Sequence, residues 1–201
     1  MVGLRGAWVT VVIVLLVGVL TGCDDDPEPK IADPTDTPST AATSPSTTPS
    51  TTTPTPTGPV EPPMPAAAGE DSDAGAEAFT RYWVDLVNYA GATGDTKALA
   101  SVSDSRCAGC GGLLNVVTDA YAQGGHIEGG AWTIGQLRKL PLDHDADWAG
   151  FGEGTSTPQV IYHGDGTADS YPGGPFYIYA YTAWTDSGWT MRWLRTPEPA
   201  K

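Results

Sequence analysis

Basic residues are scarce. Ten lysines and arginines stand against 24 aspartates and glutamates, a formal net charge of -14. No segment gathers the positive charge that displaces counterions from phosphates, which excludes nucleic acid as a partner and argues against docking of the folded surface on anionic headgroups. Cysteine is limited to Cys23, Cys107 and Cys110. These and the histidines His126, His144 and His163 follow no zinc-like spacing, so no metal site is assigned. Asp143, Asp145 and Asp147 alternate as in a calcium loop, but the stretch lacks that loop's glycine at the sixth position and its closing glutamate, and it reads as a solvated acidic loop. The chain has no Gly-x-Ser-x-Gly elbow, phosphate-binding glycine loop or His-Glu-x-x-His helix, so motifs name no catalytic residue and no cofactor. Gly152-Glu153-Gly154 and Gly173-Gly174 are read as turns. The apolar run Ala7 to Leu20 is shorter than the roughly 20 residues of a bilayer span.

That run follows Arg5 and precedes small residues, the layout of a secretory signal peptide over residues 1–22. Leu20-Thr21-Gly22-Cys23 resembles the bacterial lipobox, and the resemblance implies that the Cys23 thiol carries diacylglycerol and becomes the new N-terminus. Asp24, Asp25 and Asp26 oppose further insertion into hydrocarbon. The expected location is the extracytoplasmic face of the bacterial cell membrane, with the Cys23 lipid as the membrane element.

Residues 23–73 form the next segment. Twelve prolines lie between Pro27 and Pro65, with threonine and serine filling much of the space between them. Such a chain buries too little apolar surface to offset its ordering entropy, and proline biases it toward polyproline II. It reads as a spacer, and its Ser/Thr density suits O-glycosylation.

Residues 74–201 are expected to form one domain. Phe79, Tyr82, Trp83, Leu86, Val87 and Ala90 recur at helical spacing, predicting a helix over 75–90 with Asp73 as its cap. A short helix over 96–102 follows, and another over 106–123 capped by Ser103, Asp104 or Ser105. The period then changes. Ala131 to Leu140 and Gln159 to His163 are strand candidates, and Phe176 to Trp184 alternates strictly. Thr185 to Gly188 supplies a turn into a strand from Trp189 to Leu194, an antiparallel hairpin. Helices first and strands after predict an α+β domain with N-terminal helices packed on a curved antiparallel sheet, an order that resembles the NTF2-like, or cystatin-like, cone. The stretch from Ala76 onward also resembles a family of actinobacterial lipoproteins of unknown function. The likeness rests on Ala76-Glu77-Ala78-Phe79, Cys107-Ala108-Gly109-Cys110, and Gly124-Gly125 with Glu128-Gly129-Gly130. It implies no catalytic residue.

Two local features invite function. With Cys23 lipidated, Cys107 and Cys110 remain as an even pair outside the reducing cytosol, and a structural disulfide is the default; the alternative is thiol-disulfide exchange near a helix start. The second feature is the aromatic content of the sheet. Tyr162, His163, Tyr177, Tyr179, Tyr181 and Trp184 form the candidate ligand surface, for an envelope glycan, lipid or protein, with simple core filling as the competing explanation. The expected function is a non-catalytic binding or accessory module at the cell envelope. The alternatives are an oxidoreductase using Cys107 and Cys110, and a cone-fold hydrolase or isomerase using His163, Asp85 or a tyrosine.

Overall fold

The structure is a computed structural model and describes residues 58–198. The signal peptide, Cys23 and most of the spacer lie outside the described residues.

Helix α1 spans Asp73–Thr93. The Ser72 hydroxyl accepts from the Gly75 amide at 3.0 Å, so the cap is Ser72 and not Asp73. The helix runs past Gly91 and stops at Gly94, whose φ of 76° takes the chain out of the helix. Phe79, Trp83, Leu86 and Ala90 are its fully buried stripe. Helix α2, Lys97–Ser101, is short, and α3 spans Ala108–Tyr121. The expected caps of α3 are used elsewhere: Ser103 accepts from the Trp83 indole at 2.9 Å, and Asp104 binds Arg106 and Arg192. Cys107 caps the helix instead, its Sγ accepting from the Cys110 amide at 3.2 Å.

Eight strands follow: β1 His126–Gly129, β2 Trp132–Ile134, β3 Arg138–Lys139, β4 Trp148–Ser156, β5 Gln159–Tyr162, β6 Ala168–Tyr171, β7 Gly174–Thr185 and β8 Gly188–Arg195. All their pairings are antiparallel. A five-stranded sheet has the order β2-β4-β7-β8 with β3 also on β4, and a three-stranded sheet has the order β1-β5-β6. The two sheets share strands that bend along one line, because β1 continues into β2, β4 into β5, and β6 into β7. Glycine or proline sits at each bend. Gly129, Gly130 and Gly173 have φ of 71°, 76° and 69°, and Pro158 and Pro172 lie beside them. The Gly130 amide reaches the Pro158 carbonyl at 3.0 Å, stitching adjacent bends together. A Cβ on Gly173 would lie 2.5 Å from the backbone of Thr157, so the bend has room only for hydrogen there.

The result is an α+β domain in which a strongly curled antiparallel sheet wraps α1, which touches strands of both sheets. The sheet edge at β2 is closed by that helix. Asn88 accepts from the Trp132 amide at 2.7 Å and donates to the Trp132 carbonyl at 2.9 Å, and Arg81 donates to the Gly135 carbonyl at 3.0 Å.

One region departs from expectation. Trp148 to Ser156 is the central strand β4, whereas its sequence reads as an acidic loop followed by a glycine turn. The glycines lie on the inner face and make room for neighbours: the Trp148 ring lies over Gly150, Leu137 over Gly152, and Phe176 over Gly154. Only the head of the acidic stretch is a turn, with His144 and Asp145 at φ of 58° and 53°.

Candidate functional site

Alternation along β7 separates two environments. Phe176, Ile178, Ala180 and Thr182 are buried under the helices, while Tyr177, Tyr179 and Tyr181 stand half-buried on the outer face. Register adds partners to the tyrosines. Glu153 lies opposite Tyr177, Phe151 opposite Tyr179, and Trp193 opposite Tyr181. Simple alternation would put Trp193 on the same face as Trp189 and Met191. An irregularity in the pairing inserts Arg192 as an extra residue of β8, so Met191 and Leu194 both turn inward and Trp193 joins the tyrosines.

The rings form two groups along this face. Phe151 lies 5.3 Å from Tyr177 and 5.0 Å from Tyr179, with the Arg138 guanidinium 4.9 Å over its ring. Tyr181 meets Trp193 edge-on at 5.2 Å, and His144 stacks on Trp193 at 4.4 Å with an interplanar angle of 9°. His144 sits at a φ of 58° in the turn ahead of β4. Two adjoining hollows of about 440 and 310 Å³ run beside the first group and share Gly135 and Glu153. Thr133, Thr155 and Arg138 add hydroxyls and a cation to their walls.

The other candidate residues lie apart from this strip. Tyr162 is on the smaller sheet and stacks on His126 at 4.5 Å. His163 follows it and pairs with Asp169 at 3.0 Å. Neither lines the two hollows beside the strip. Trp184 packs against the core and meets Trp189 at 5.3 Å. Asp85 is on α1, where partial burial raises its carboxyl above the ordinary range. The acid-base grouping of His163 with a tyrosine of β7 is therefore not assembled.

Cys107 and Cys110 are joined with an S–S distance of 2.06 Å, and each is only 1% exposed. Thiol exchange requires an attacking sulfur to reach one of them, and burial against β8 opposes that approach: a Cβ on the intervening Gly109 would overlap the Leu194 carbonyl. Beside the pair, Asp104 accepts from the Arg106 amide at 2.8 Å and from the Arg106 and Arg192 side chains. The hydrogen bonds from Arg106, with the charge of Arg192, hold the Asp104 carboxyl well below the usual carboxylate range. This ion pair ties the α2–α3 connection to β8.

Phe151, Glu153, Arg138, His144 and Trp193 are members of the strip that sequence reasoning missed. The alternation of Phe151 with glycines was the available signal for Phe151, and the bulge left none for Trp193.

The model of a family of unknown function (DUF6318) matches residues 46–194. No curated protein matches the sequence. Among solved structures, the intermembrane-space region of the chloroplast protein ARC6 is similar at 15% identity and a TM-score of 0.41, covering 65% of this chain and 99% of that one. An NTF2-type variant is similar at 13% identity and a TM-score of 0.32, covering 60% and 98%.

Proposed function

The chain belongs to that family of unknown function, and we propose that it is a lipid-anchored extracytoplasmic binding module whose outer sheet face takes a glycan of the cell envelope. The observation that carries this reading is the strip of half-buried rings, Phe151, Tyr177, Tyr179, Tyr181 and Trp193, interleaved with Arg138 and Glu153 on the side of the sheet away from the helices.

A sugar polymer presents flat C–H faces edged by hydroxyls. Rings match the faces, while a carboxylate, a guanidinium and the Thr133 and Thr155 hydroxyls match the edges. A lipid tail would leave Arg138 and Glu153 desolvated without partners. An extended peptide adding to a sheet needs a free strand edge, and β4 and β7 are paired on both sides. The lipobox-like stretch Leu20 to Cys23 and the proline-rich spacer after it support the placement, since a lipid there would leave the folded part on a long tether.

The test is co-sedimentation of the full chain with purified insoluble wall glycan. Saturable binding is expected, with Tyr177→Ala and Trp193→Ala each weakening it by about tenfold, the equivalent of ~1.4 kcal/mol. Binding to vesicles or to a peptide library in place of glycan, with the same two variants defective, would reassign the ligand and reject the glycan. Intact mass and membrane fractionation check the anchor: Cys23 should carry acyl mass, and Cys23→Ala should release the protein from the membrane fraction.

A further inference from the structure

Another hollow differs from the outer strip in its side chains. It has a volume of about 320 Å³ and lies between the C-terminal half of α1, the face of α3 and the bend between β1 and β2. Leu99 and Ile127 line it together with Val87, Leu113, Val116 and Trp132. No ionisable side chain lines it, in a chain with 34 formally charged residues, whereas the other three hollows each include a glutamate. Its polar side chains are Asn88 and Gln159, and the Asn88 amide already serves the Trp132 backbone in both directions.

About ten water volumes would fit in such a space, and no charged side chain is there to hold them. At the lip, Val116 is 46% exposed, one of the few large apolar side chains left open among the described residues. Gly91 forms part of the α1 wall, and a Cβ there would meet nothing within 4 Å, so the helix keeps a smooth, open side toward the hollow. An uncharged, mainly aliphatic lining with an open apolar lip suits a hydrocarbon tail and offers no ion pair to a charged ligand.

We propose that this hollow is a binding site for a single hydrocarbon tail, acyl or isoprenoid, whose polar end stays outside the lip. The site is separate from the glycan strip and does not depend on it. The test uses the full chain in its own membrane and a diazirine-bearing fatty acid as the probe, with crosslinked peptides identified by mass. Labelling is expected on the peptides carrying Leu113 to Val117 and Ile127 to Trp132. Unlabelled dodecanoic acid or farnesol should suppress it saturably, and the stronger competitor identifies the tail as acyl or isoprenoid.

Gly91→Phe places a ring in the hollow without backbone collision and should reduce labelling more than tenfold at an unchanged melting temperature. Should that variant melt early, Val116→Asp at the exposed lip serves the same purpose and should also reduce labelling. Tyr177→Ala should leave labelling intact, so loss of glycan binding and loss of tail binding are separable. Labelling that cannot be competed, that persists in Gly91→Phe and Val116→Asp, or that is confined to residues 1–57 would overturn the proposal.

Discussion

On β7, side chains one residue apart meet different fates. Ile178 and Ala180 are fully buried beneath α1 and its neighbours, while Tyr177, Tyr179 and Tyr181 are only partly covered. The strand is the same and the pairing is continuous, so the difference comes from the layer above. Helices cover one face of the curled sheet and no described element covers the other. The aromatic richness of this chain therefore has two meanings. Phe79, Trp83 and Trp189 fill the interior, and the rings of Tyr177, Tyr179, Tyr181 and Trp193 lie outside that core.

Several measurements sharpen or break that contrast. Ile178→Ala removes a fully buried side chain and should cost about 3 kcal/mol in a denaturant titration; a cost below ~1 kcal/mol would mean that the inner face is loosely packed. Gly173→Ala tests the bend that makes the sheet curl. With a positive φ and the Thr157 backbone in contact, it should cost about 2 kcal/mol. Replacing Cys107 and Cys110 together by alanine removes a short crosslink and the cap of α3, and a loss of about 2 kcal/mol is expected by the same titration.

A pH series examines the ion pair below the helices. The folded Asp104 carboxyl lies below its ordinary value of 3.8, so the stability it contributes is fully present above that value and is lost as the pH falls toward the folded one. Wild-type stability should fall more steeply than that of Asp104→Asn on acidification through this range. Parallel curves would remove the Arg106 and Arg192 contacts from the account. The smallest stability effect belongs to the outer face: Tyr179→Ala should cost about 1 kcal/mol or less, far below Ile178→Ala. Equal costs on the two faces would mean that the strip is core after all.

Some of this arrangement was legible in the sequence. Strict alternation from Phe176 to Trp184 marked a strand, Thr185 to Gly188 marked the hairpin turn, and Phe79 to Ala90 marked the helix packed against them. Strand β4 was hidden because glycine at every second position erased its inner apolar face, and glycine in isolation signals a turn. The short strands β1 and β6 were hidden too; β6 is exposed throughout and has no periodic apolar face to read. The face occupied by Trp193 was inverted by the extra residue Arg192, and a one-residue slip moves every later side chain to the opposite side.

The sequence by itself determined the order of elements, helices before strands, and the placement of the tyrosines on one side of their strand. Both follow from local periodicity, which a single segment carries whatever surrounds it. Only the tertiary structure decided where the sheet bends, which face the helices cover, and that Phe151, His144 and Trp193 join those tyrosines. These outcomes depend on register and contact between segments far apart in the chain, where Gly150, Gly152 and Gly154 matter for the rings they admit from their neighbours.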